Sequence, residues 1–139
     1  MGTIKDITVM LIVENESTRA YLRMLLRTLE LNNILEAGTG ERALKAISST
    51  SVDLVFLDTN LPDGNCFELV DTIKTKSSHC EILIISSDVT QEHVQQIISG
   101  PANGLILKPF TASVIKKKIV RLLPSLLSAK LTHSMPQMV

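Results

Sequence analysis

The sequence predicts an α/β fold: a parallel β-sheet covered by helices on both faces. Three observations predict it, namely short apolar runs of strand length, intervening segments with apolar residues at helical spacing, and strict alternation of the two. A strand, a helix and a second strand joined in that order return in parallel through a right-handed crossover, which lays the helix over the sheet.

The first run, residues 9–13, is apolar throughout rather than alternating, as in strands buried on both faces. Leu22, Leu25, Leu26 and Leu29 then recur at i, i+3, i+4 and i+7, predicting a helix with Ser17 as its N-cap. Residues 34–37 are a weaker strand, nearer an edge. Ala43, Ala46 and Ile47 mark the second helix after Thr39 and Gly40. Residues 54–57 are the third strand, and Cys66, Leu69, Val70 and Ile73 give the third helix. Residues 82–85 form the fourth strand. Val94, Ile97 and Ile98 mark the fourth helix, preceded by Asp88 and Thr90 and stopped by Gly100-Pro101. Residues 105–107 are the last strand, and Ile115, Ile119, Leu122 and Leu123 make a fifth helix capped by Thr111. From about Pro124 the pattern fades into Ser, Thr, Pro and Met. Residues 1–127 are therefore expected as one domain and 128–139 as a flexible tail, with no second domain following.

Composition agrees. The 139 residues are 45% hydrophobic and 20% charged, as in globular domains. Aromatics are only 3%, so Leu, Ile and Val must build the core. Lys plus Arg and Asp plus Glu number 14 each, which gives neither the basic surplus of a nucleic-acid binder nor that of an electrostatic membrane anchor. Cys66 and Cys80 form no C-x-x-C pair. No apolar stretch approaches the roughly 18 residues of a spanning helix. Lys5 and Asp6 precede a short apolar run ending at Glu14, unlike a signal peptide, so a cytoplasmic location is expected. His79, His93 and His133 are scattered, without metal-ligand spacing. Lys116, Lys117, Lys118 and Arg121 make the outer face of the last helix basic, which is most simply a solvated face.

Open α/β sheets bind ligands beyond the carboxyl ends of their strands. Glu14, Asn15 and Glu16 follow the first strand, Asp58, Thr59 and Asn60 the third, Ser86, Ser87 and Asp88 the fourth, and Lys108-Pro109 the fifth. Singly, each is an ordinary turn former, cap or loop residue. Together, at four strand ends, they assemble a chemistry. A carboxylate can attack phosphorus and form an aspartyl phosphate. Oxygen-ligated Mg²⁺ and a lysine neutralise the phosphoryl oxygens, and a hydroxyl can bond to one of them. Asp58, Lys108 and Ser86 supply the nucleophile, the cation and the hydroxyl. Glu14, Asn15 and the Asn60 carbonyl can hold the metal.

Leu11-Ile12-Val13-Glu14-Asn15-Glu16, Leu54-Val55-Phe56-Leu57-Asp58-Thr59-Asn60-Leu61-Pro62-Asp63-Gly64, Ile82-Leu83-Ile84-Ile85-Ser86-Ser87 and Leu107-Lys108-Pro109-Phe110, in that order, resemble the response-regulator receiver family over residues 7–125. The resemblance implies a flavodoxin-like (CheY-like) fold, one five-stranded parallel sheet of order 2-1-3-4-5. It assigns Asp58 as phosphoacceptor, Lys108 and Ser86 as the lysine and switch hydroxyl, and Glu14, Asn15, Asp58 and the Asn60 backbone carbonyl as Mg²⁺ ligands. It implies a histidine kinase or phosphotransfer protein as donor, and a downstream protein meeting the fourth helix, fifth strand and fifth helix. Neither nucleic acid nor membrane is implied as a partner. Nor is enzymatic activity, beyond the chain's own phosphorylation and dephosphorylation.

Three residues depart from the family pattern. Asn15 stands where a metal-binding Asp is usual, which removes a full charge, so Mg²⁺ binding is expected to be weaker by roughly tenfold or more unless Glu14 or Glu16 reaches in. Leu105 replaces an aromatic that reorients on phosphorylation. Cys66 replaces a glycine in the loop opening the third helix. A second reading therefore stands beside the first: a phosphorylation-independent pseudo-receiver acting as a protein-binding module. Flavin binding is disfavoured, because acids after the first strand repel a phosphate held there without a metal.

Overall fold

A computed structural model describes residues 3–64, 66–87 and 90–134. The strands are β1 (Thr8–Ile12), β2 (Asn33–Ala37), β3 (Leu54–Asp58), β4 (Glu81–Ser86) and β5 (Gly104–Leu107). The helices are α1 (Glu16–Thr28), α2 (Gly40–Ser49), α3 (Cys66–Lys76), α4 (Gln91–Ser99) and α5 (Ala112–Ser134). All strand pairs are parallel, in the order β2-β1-β3-β4-β5 expected from the resemblance.

The apolar runs are continuous because β1, β3 and β4 are covered on both faces: every residue from Val9 to Ile12, from Leu54 to Asp58 and from Ile82 to Ser86 is buried. The edge strands β2 and β5 are only partly buried, which accounts for their weaker patterns. Val9, Leu11, Val13, Leu54, Phe56, Leu83 and Ile85 face a core layer with Leu22, Leu26, Ile115 and Ile119 of α1 and α5. Met10, Ile12, Val55, Leu57, Ile82 and Ile84 face a second layer with Ala43, Ile47, Leu69, Ile73 and Ile97 of α2, α3 and α4. Each fully buried Leu or Ile stabilises the fold by about 1.5–3 kcal/mol.

Helix ends follow local chemistry, with two corrections. Asn15, not Ser17, is the N-cap of α1: it is extended (φ −68°, ψ 118°), and its side chain accepts the Thr18 N–H at 2.9 Å. Ser17 already lies inside the helix. Thr111 caps α5 as expected, accepting from the Val114 amide, and Thr39 caps α2 by accepting from the Arg42 amide. Gly100 follows the end of α4, where a Cβ would come within 2.6 Å of the Gln96 carbonyl oxygen, a close approach that glycine allows. Asp88, expected to precede α4, lies outside the described residues, as do the side chains of His93 and His133.

The second correction concerns the last helix. The pattern fades at Pro124, yet α5 continues through it to Ser134, and Leu126 beyond it is 1% exposed in the first core layer. Pro124 lies on the exposed side of α5, where a carbonyl deprived of its helical donor faces water. Packing of Leu126 and Leu127 then holds the helix on the far side of the proline.

Candidate functional site

The rim at the carboxyl ends of β1, β3, β4 and β5 is built by register. Ile12 pairs with Leu57, so Glu14 and Asn15 leave the sheet beside Asp58 and Thr59. Asp58 pairs with Ile85, and Ser86 with Leu107, which brings Ser86 and Lys108 to the same edge. The ladder continues past the strands, from Thr59 N–H to the Ile85 carbonyl at 3.0 Å and from Lys108 N–H to the Ser86 carbonyl at 2.9 Å.

Asp58 is only 2% exposed. Its Oδ1 accepts the Asn60 N–H at 2.9 Å, and its Oδ2 meets Lys108 Nζ in an ion pair reaching across the end of β4. A buried carboxylate needs such compensation, because an uncompensated charge in the interior costs several kcal/mol. Ser86 is equally buried, and its Oγ accepts the Thr59 hydroxyl at 3.2 Å. The residues expected to supply nucleophile, cation and hydroxyl thus stand together.

Glu14 is exposed at this rim, and Asn15 turns its side-chain oxygen to the Thr18 amide as a helix cap. Among the described residues, no three His, Cys, Asp or Glu side chains gather as a metal-holding group. The donor set is nonetheless all oxygen: carboxylates of Glu14 and Asp58, the Asn60 carbonyl, and the Asn15 amide oxygen, which keeps a second lone pair. That chemistry fits a hard cation such as Mg²⁺.

Several supporting residues were not singled out in the sequence. Arg19 satisfies the end of β1, its guanidinium donating to the Val13 carbonyl at 2.7 Å and the Glu14 carbonyl at 3.3 Å, while Glu36 of β2 pairs with both Arg19 and Arg23. Tyr21 of α1 stacks on Phe110 after β5, ring centroids 5.9 Å apart. Asp63, in the loop after β3, accepts the Gly40 N–H at 2.8 Å and the Glu41 N–H at 3.0 Å, capping α2 from another element. Those amides hold its carboxyl below the usual carboxylate range. For Asp63, an Asp in a Leu-Pro-Asp-Gly turn was the available signal.

Cys66, 3% exposed, lies close enough to Asp58 to feel its charge. Burial first, and then that charge, push its thiol up to about 11. Cys80 is pushed up to about 12, chiefly by burial. Both are thiols, not thiolates, at neutral pH, and both are free. No helix among the described residues is long and apolar enough to cross a membrane.

A family model described as the response regulator receiver domain matches residues 9–120. The chain is 29% identical over 117 residues to the chemotaxis protein CheY-3 of Vibrio cholerae, covering 83% of this chain and 90% of that protein. It is 30% identical over 115 residues to the chemotaxis protein CheY of Pseudomonas aeruginosa, covering 81% and 93%. A solved two-component response regulator from Clostridium difficile superposes with a TM-score of 0.80 at 20% identity, covering 86% of this chain and 97% of that one. The chain belongs to the response-regulator receiver family, whose members are signalling modules rather than conventional enzymes.

Proposed function

We propose that Asp58 accepts a phosphoryl group from a histidine kinase or phosphotransfer protein. The observation that carries this reading is the buried Asp58 carboxylate held between Lys108 and the Asn60 amide at the sheet's carboxyl edge. A carboxylate oxygen bonds to phosphorus as the bond to the donor imidazole breaks, and the imidazole keeps the electron pair. Lys108 faces the negative charge that gathers on the phosphoryl oxygens. Glu14, Asp58, the Asn60 carbonyl and Asn15 would hold Mg²⁺, which supplies further charge neutralisation when bound. Chemistry is confined to the chain's own phosphorylation and dephosphorylation.

Phosphorylation replaces one negative charge by roughly two and adds acceptor oxygens. Ser86 is the hydroxyl placed to bond one of them. Its movement toward the phosphoryl group draws on the loop into α4 and on the neighbouring β5, where partly buried Leu105 repacks without the swing of an aromatic ring. The readout is a modest change on the surface of α4, β5 and α5, received by a downstream protein.

Asn15 favours a second reading, a phosphorylation-independent binding module, since its oxygen already serves α1. Intact-protein mass spectrometry after incubation with acetyl phosphate and Mg²⁺ separates the two. The first reading requires a one-phosphoryl gain that Asp58→Asn abolishes. No gain in the wild type supports the second, and an equal gain in Asp58→Asn overturns the assignment of the site.

A further inference from the structure

Two exposed patches of opposite sign lie on opposite faces of the sheet. Between α2 and α3, Leu44, Leu61 and Leu69 form the apolar floor of a groove of about 340 Å³. Glu41, Asp63 and Glu68 rim it, and no basic residue lines it. Glu41 does have Lys45 at 3.7 Å, but both side chains are more than 70% exposed, so that pair neutralises little. On the other side of the molecule, the described outer face of α5 presents Val120, 52% exposed, among Lys116, Lys117 and Arg121. The whole of α5 contains no acid. One patch is concave, apolar-floored and acidic. The other is basic, with Val120 exposed among its cations.

The sheet separates them, α5 packing in one core layer and α2 with α3 in the other, so they cannot meet within one molecule. We propose that α5 of one copy docks in the α2–α3 groove of a second copy, Val120 entering between Leu44, Leu61 and Leu69 while Lys117 and Arg121 face Glu41, Asp63 and Glu68. The occupant is a second copy because this chain itself carries the complementary charge and an exposed apolar side chain to meet the groove's floor. The contact is head-to-tail: each docked copy leaves one groove and one α5 face free, so assembly has no fixed stoichiometry unless a ring closes. It does not rest on phosphorylation of Asp58.

Sedimentation velocity on the full chain tests this. Weight-average mass should rise continuously as concentration increases through about 100 μM, the range of a weak single-anchor contact. Raising NaCl from about 0.05 to about 0.5 M should lower the association roughly tenfold. Val120→Asp blocks the α5 face, and Gly64→Arg blocks the groove at a position where a Cβ meets nothing within 4 Å. Each variant should stay monomeric alone, and the two mixed should give a 1:1 complex and nothing larger. The mixed complex also shows that both variants are folded. A constant wild-type mass, association surviving in either variant alone, or a mixture that stays monomeric overturns the proposal.

Discussion

Thr59 donates its hydroxyl to Ser86 Oγ at 3.2 Å, tying the residue after Asp58 to the last residue of β4. Ser86→Ala removes the acceptor and costs about 1 kcal/mol of stability in urea unfolding. It should also cut the proposed relay. With a beryllofluoride mimic bound, wild-type amide shifts change at Ser86, at residues 90–94 and in β5, while in Ser86→Ala they stay in the Asp58 loop. Wild-type changes confined to that loop would sink the relay.

Asn15 caps α1 and is proposed to hold the metal, and substitution separates the two. Asn15→Asp keeps the cap of α1 and restores a charge toward the cation, so Mg²⁺ affinity measured by calorimetric titration should rise about tenfold. Asn15→Ala should lose about 1 kcal/mol of stability with no gain in affinity. Equal or weaker binding by Asn15→Asp would mean that another residue already fills the ligand position.

Asp63 gives a pH dependence of known sign. Its carboxyl sits below the usual range because the Gly40 and Glu41 amides bond to the ionised form. The link from the β3–α3 loop to α2 is therefore complete above the ordinary carboxylate value and is lost as pH falls through the lower folded value. Gly40 and Glu41 amide shifts should titrate together with a midpoint below the ordinary value, and Asp63→Asn should remove that titration. A midpoint at or above the ordinary value would contradict the cap.

Asp53, 3% exposed, braces the opposite end of the sheet. Its Oδ2 accepts the Thr8 N–H at 2.8 Å, and its Oδ1 lies 3.7 Å from His79 Nε2. Asp53→Ala strands the Thr8 amide and should cost about 2–3 kcal/mol in urea unfolding, with Asp53→Asn costing less. A loss under about 0.5 kcal/mol in Asp53→Ala would show that water replaces the carboxylate there.

Strand positions, sheet direction and the rim were legible because burial on both faces demands unbroken apolar runs, and an alternating chain leaves its polar residues at strand ends. What escaped depends on information that spacing does not carry. Asn15 and Ser17 are both good caps two residues apart, and only the backbone angles at Asn15 decide between them. Pro124 reads as a stop unless the exposed side of its helix is known. Asp63 looks like a turn former, since its partners lie more than twenty residues earlier in the chain. The hydroxyl contact of Thr59 with Ser86 crosses from one strand end to the next, a direction set by the pleat of the sheet.

The sheet divides the interior into two layers that share a backbone but no side chains, Phe56 facing one and Leu57 the other. A change of volume at Leu11 is felt by α1 and α5, while one at Ile12 is felt by α2, α3 and α4. Substitutions on opposite sides should then combine additively, and those within one side should depend on each other. Each half of the interior is free to drift at its own pace, compensating only its own errors, and a descendant could rebuild the surroundings of α5 while the packing beneath α3 stayed as it was.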